Sequence, residues 1–185
     1  MLKGSKPLAI GRKFWAPGMA NCHSRVVAVS LLLLVVTHSQ KALADLDACF
    51  AEAARRYNVA GELLYAIAAQ ESRLDPAAVG WNGDGSRDIG VMQINSWWLP
   101  KLAEYGIDER HLQEPCTNVS VGAWILAGNI AQFGYTWDAV GAYNAGTGDT
   151  EMIRMRREAY AHKVANQLDL YRRALGVHDA AAQSR

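Results

Sequence analysis

The sequence predicts a mainly α domain with a small β element set between helices, an α+β fold with one β-hairpin. Three observations predict it. Apolar residues recur near 3.6-residue spacing through several stretches between residues 45 and 175. A single Gly/Asn/Asp-rich segment, residues 80–88, interrupts them and runs into a short apolar stretch. The 185 residues, half of them apolar, suit one domain with a sizeable core, and there are no repeats and no low-complexity linker.

The elements follow in order. Asp45 to Tyr57 reads as a helix, with Leu46, Cys49, Phe50 and Ala53 on one face, and Asn58 and Gly61 punctuate it. "ELLYAIAAQESR" forms a second helix from Glu62 to about Arg73, which has to stop before Pro76. The turn-rich segment then leads through a strand or hairpin into Gln93. A third helix starts near Trp98. Pro115 and Asn118 precede a strong helix, "VSVGAWILAGNIAQF", ended by Gly134. A shorter helix covers Thr136 to Tyr143, closed by "NAGTGD", and an amphipathic helix runs from about Thr150 to Leu175. Residues 176–185 read as a flexible tail.

The N-terminal 44 residues read as a secretory signal. A basic region ends at Arg25, an apolar stretch spans Val26 to Val36, and Ala42-Leu43-Ala44 supplies a cleavage pattern before Asp45. Eleven residues are too few for a membrane span, which needs ~20. An uncleaved anchor is the alternative, and Met19 is a second candidate start. Export places the mature chain in the periplasm.

Net charge, formally +1, is unevenly distributed. Residues 1–44 hold six Lys or Arg and no acid, so the remainder carries 13 basic and 18 acidic residues. A basic nucleic-acid surface, which needs clustered Lys and Arg, is therefore not indicated. Beyond residue 44 two cysteines remain, Cys49 and Cys116. An even count in an oxidising compartment favours a disulfide, with two buried thiols as the alternative. Nothing points to a metal or cofactor.

Leu64, Ile67 and Glu71 stand at i, i+3 and i+7 and share a helix face. A carboxylate ending an apolar stripe is costly unless paired or protonated. Burial raises its pKa, and a Glu protonated near neutral pH is a general acid. The bland alternative is that the helix ends there and Glu71 reaches solvent.

"AIAAQESRLDP" resembles the first signature of the soluble lytic transglycosylases, goose-lysozyme-like enzymes that cut peptidoglycan. The resemblance continues through "GVMQ" (Gly90 to Gln93), "NVSVGAWIL" (Asn118 to Leu126), the complete "AYNAG" (Ala142 to Gly146) and Tyr160 in "EAYAHKV". It implies a lysozyme-like fold. It also implies that Glu71 protonates the glycosidic oxygen between N-acetylmuramic acid and N-acetylglucosamine, then acts as base on the muramoyl C6 hydroxyl to give a 1,6-anhydro product. Gln93 and Tyr143 would line the sugar cleft. Each has a core alternative: Gln93 satisfied by backbone, Tyr143 a core aromatic with a bonded hydroxyl. Ser72, Gly90 and Asn144 read as support.

A second resemblance crosses the first. "NGDGSRDIGVMQINSWW" is similar to the β-hairpin of animal c-type lysozymes, and Asp88 falls where those carry a second catalytic carboxylate. Similar hybrids occur among small exported transglycosylases that accompany secretion or conjugation machines, which share a cysteine pair placed like Cys49 and Cys116. Trp98 is a candidate sugar platform, or else it packs with Trp97; Trp81 and Trp137 read as packing residues. The implied partner is the peptidoglycan glycan strand, with secretion or conjugation components as further candidates. A hydrolytic muramidase using Glu71 and Asp88, and a weakly active glycan-binding scaffold, are the rival readings.

Overall fold

The computed structural model describes residues 46–176. The expected signal segment and cleavage site lie outside the described residues, as does the expected tail apart from Gly176.

Helix α1 occupies residues 46–57 and buries the predicted stripe of Leu46, Cys49, Phe50 and Ala53. Asn58, at φ 52°, ends it in the left-handed region that Asn tolerates. Helix α2 (Gly61–Ser72) inserts Leu64, Ala66, Ile67 and Ala68 into the core with no exposure. It stops before Pro76, as expected, with Arg73 left-handed at its C-terminus and donating to Ala68 and Ala69.

The β element is one strand larger than a hairpin. Strands β1 (Val79–Trp81), β2 (Arg87–Ile89) and β3 (Ile94–Asn95) form an antiparallel sheet in that order. Gly80 pairs with Asp88, and Asp88 with Asn95. A 3-10 turn (Ser96–Trp98) leads into α3 (Leu99–Ala103).

Two departures from the expected elements follow. Helix α4 (Glu109–Gln113) was not anticipated. Its signal was the Asp108 capping box: the Asp108 carboxylate accepts from the His111 backbone N–H at 3.1 Å, while the His111 ring accepts from the Asp108 N–H at 3.2 Å. Helix α5 (Pro115–Phe133) begins ahead of Asn118, because Pro115 suits the first turn, where no backbone N–H is needed. Asn118 therefore lies inside the helix, fully buried. Helices α6 (Trp137–Ala145) and α7 (Glu151–Ala174) are capped by the hydroxyls of Thr136 and Thr150.

Helix α7 packs on α6 and α2, and α6 on α5, around one apolar core. Cys49 on α1 and Cys116 on α5 sit with Cα atoms 4.8 Å apart, within the span of a disulfide. No described helix is long and apolar enough to cross a membrane.

Trp81 and Trp137 are not packing residues. They are 75% and 48% exposed. Trp81 alternates outward on the short strand β1, where the Arg87 guanidinium lies 5.3 Å from its ring centroid.

Candidate active site

The apolar run Ile89–Ile94 has neither helical nor strand periodicity because most of it is a buried turn. Ile89, Val91, Met92 and Ile94 are at most 1% exposed. A buried turn must satisfy its backbone groups locally, and three other segments of the chain do so. The Ser72 hydroxyl donates to the Val91 carbonyl at 2.8 Å. Asn118 accepts from the Met92 N–H and donates to the carbonyls of Ile89 and Leu112, all at 2.8 Å. The Tyr143 hydroxyl donates to the Met92 carbonyl at 3.0 Å. Gly90 is required at φ 75°, where a Cβ would collide with the Asn118 amide. Gly122 leaves room for Met92 in the same way. The separated signatures therefore meet at one loop.

Gln93 and Ile94, at the end of that loop, line a cleft of about 840 Å³ together with Glu71, Asp88, Trp97, Trp98 and Tyr143 among others. The volume is in the range of small-ligand sites. The fold thus brings the anticipated site residues onto one surface, from α2, the sheet, the 3-10 turn and α6.

Glu71 lies in the last turn of α2, beyond the apolar stripe. Burial pushes its carboxyl up to about 6 from an ordinary 4.5. A hydrogen bond donated by the Tyr160 hydroxyl opposes this, the Asp88 charge adds to it, and the Lys163 charge opposes it. Tyr160, on α7, was noted in the sequence but not among the site residues. A lone Tyr in an amphipathic helix gives no sign that it reaches a carboxylate 89 positions away. Its own ionisation is pushed well up by burial and by Glu71.

Asp88 sits in β2 with both carboxylate oxygens engaged. Asn95 donates to one at 2.8 Å and Asn82 to the other at 3.0 Å. These bonds tie the turn to β3 and hold the carboxylate in place. Gln93 adopts φ 48°, and its amide donates to the carbonyls of Gly90 at 2.8 Å and Ala78 at 3.2 Å. Gln93 and Tyr143 therefore line the cleft with their hydrogen-bond donors committed to backbone. Burial raises the Tyr143 hydroxyl well above its ordinary range.

Trp97 and Trp98 stack at 4.5 Å between ring centroids. Trp98 packs inward against Trp124 at 5.5 Å, whereas Trp97 is 65% exposed on the cleft wall. The exposed indole is thus Trp97, which the sequence reading had not put forward.

A mainly α domain with a small antiparallel sheet and a carboxyl-lined cleft belongs to the lysozyme-like class of folds. Residues 48–166 match the Transglycosylase SLT domain, and the chain belongs to that family of peptidoglycan lytic transglycosylases. It is 49% identical over 117 residues to Invasion protein IagB of Salmonella typhimurium, an alignment covering 63% of this chain and 72% of that one. It is 44% identical over 117 residues to X polypeptide of Escherichia coli, covering 63% and 69%. It is 38% identical over 150 residues to Protein IpgF of Shigella flexneri, covering 80% and 90%. Among solved structures, an inactive mutant of the lytic transglycosylase Slt from Pseudomonas aeruginosa superposes with a TM-score of 0.55 at 23% identity, over 70% of this chain and 24% of that larger chain. That likeness is one of fold.

Proposed function

We propose that the protein cuts the β-1,4 bond between N-acetylmuramic acid and N-acetylglucosamine with Glu71 as the only acid and base. The observation that carries this is the half-buried Glu71 carboxyl, pushed up to about 6 beside the Tyr160 hydroxyl in the cleft. Glu71 donates its proton to the glycosidic oxygen as the bond to C1 breaks. Its carboxylate then takes the proton of the muramoyl C6 hydroxyl, and O6 bonds to C1. No water is consumed, and the carboxyl ends as it began.

Asp88 stabilises the positive charge that develops on the sugar ring. Support for this role over that of a nucleophile comes from its hydrogen bonds to Asn82 and Asn95, which fix the carboxylate as part of the sheet. Trp97 and Trp98 offer indole surface to a sugar ring, and Gln93 and Tyr143 shape the floor. The 4.8 Å Cα separation supports a Cys49–Cys116 disulfide, in keeping with export to the periplasm. The similarity to an invasion protein, with the hybrid hairpin, supports local opening of the wall for a secretion or conjugation machine.

Mass spectrometry of digested peptidoglycan tests the reaction. The expected muropeptides are 1,6-anhydro forms. Reducing-end forms, heavier by one water, would overturn it in favour of hydrolysis with Asp88 taking part.

A further inference from the structure

Helix α7 carries seven Arg, Lys and His side chains, and five of them face an acidic partner. Arg154 meets Asp149, Arg157 meets Asp138, His162 meets Glu158, Arg172 meets Glu62 and Arg173 meets Asp169. Arg156 and Lys163 are the exceptions. Both are exposed, and neither makes an ion pair or hydrogen bond among the described residues.

Their positions are related. Arg156, Tyr160 and Lys163 stand at i, i+4 and i+7, on one face of the helix. Tyr160 touches Glu71, so this face is the one turned toward the proposed catalytic carboxyl. Arg156 lines the cleft itself, and the Lys163 charge is felt at Glu71. The cleft also holds the carboxylates of Glu71, Asp84 and Asp88, yet none of them captures Arg156. Seven residues of helix set the two cations about 10 Å apart. Next to Arg156, Met152, Met155 and Ala159 form an apolar shelf with Glu151 at its edge, and the two methionines are 63% and 64% exposed.

The sugar rings of a glycan strand are neutral, with hydroxyl and acetamido groups, and have no need of two unpaired cations. The anionic groups of peptidoglycan are the free carboxylates of the peptide stems, borne on the lactyl ether of the muramoyl ring. We propose that Arg156 and Lys163 form a subsite for those carboxylates, with the Met152–Met155 shelf under the alkyl parts of the stem, so that the enzyme selects strands that still carry peptides. This rests on Glu71 acting on the muramoyl bond.

The test compares peptide-bearing glycan strands with the same strands after their carboxyls are capped as methylamides. With the wild-type mature protein, capping is expected to raise KM about three- to tenfold, the scale of two exposed ion pairs, with kcat little changed. The double variant Arg156→Gln/Lys163→Gln should give one KM for both strands. A wild type that handles capped and uncapped strands alike overturns the inference, as does a double variant that still discriminates. Cosedimentation of Glu71→Gln with capped and uncapped strands reads the same preference through binding alone. It therefore decides the subsite even if cleavage at Glu71 fails. Equal cosedimentation overturns the subsite, and weaker cosedimentation after capping supports it.

Discussion

The Tyr160 hydroxyl on α7 donates a hydrogen bond to the carboxylate of Glu71 at the end of α2, joining two residues 89 positions apart at the carboxyl proposed as acid and base. Glu71 is thereby balanced between burial and the Asp88 charge, which favour the acid form, and Tyr160, which favours the carboxylate.

The balance predicts opposite shifts in pH profile. A general acid must be protonated, so kcat/KM should be level below about pH 6 and fall above it. Tyr160→Phe removes a bond to the charged form and should move the fall to higher pH. Asp88→Asn removes a repelling charge and should move it to lower pH. Shifts in the same direction, or none, would refute the arrangement.

Glu71→Gln should lower cleavage at least ~10²-fold. It should also change stability in a pH-dependent way. The folded pKa of Glu71 lies above its ordinary 4.5, so the stability its proton provides is complete below pH 4.5 and is lost as pH rises through about 6. Glutamine escapes that loss. The variant should gain about 1–2 kcal/mol over wild type at pH 7.5 and nothing at pH 4, measured by urea unfolding. A rate within twofold of wild type would remove Glu71 from the chemistry.

Asn118→Ala should destabilise by about 3 kcal/mol, because it strands the Met92 N–H and the Ile89 and Leu112 carbonyls in the core. Surviving folded enzyme should bind glycan poorly, since Gln93 and Ile94 at the end of that loop line the cleft. A melting temperature within about 2 °C of wild type would show that the loop does not depend on this side chain.

Trp97→Ala should raise KM for glycan strands several-fold and leave the melting temperature nearly unchanged, because the indole is exposed. Trp98→Ala should raise KM and also lower the melting temperature, since Trp98 packs on Trp124. If Trp97→Ala leaves KM unchanged, the exposed indole is not a sugar platform.

Denatured, unreduced protein from the periplasm should show no thiol from Cys49 or Cys116. Reduction should cost ~4 kcal/mol for a loop closed across a separation of 67 residues. Two reactive thiols would mean that the cysteines are neighbours without a bond.

Much of this was legible in the chain itself. The helices α1, α2, α5, α6 and α7 are written in apolar spacing, and their ends in Asn58, Gly134, Thr136 and Thr150. Glu71 stands out because a carboxylate at the end of an apolar stripe needs a reason. Local patterns carry such information because helix period and capping depend on residues a few positions apart. The short helix α4 escaped because one turn offers too little periodicity, and α5 was begun late because Asn118 read as a boundary when it was a buried brace.

Only the tertiary structure decided which partners those residues have. Tyr160 reaches Glu71, Asn118 and Tyr143 hold the Met92 backbone, and Trp97 rather than Trp98 is the open indole. Each of these joins distant segments or turns on a packing choice between adjacent residues, and no local period encodes it. The raised pKa of Glu71 belongs to the same class, since desolvation exists only once the surrounding helices and sheet have closed around the carboxyl.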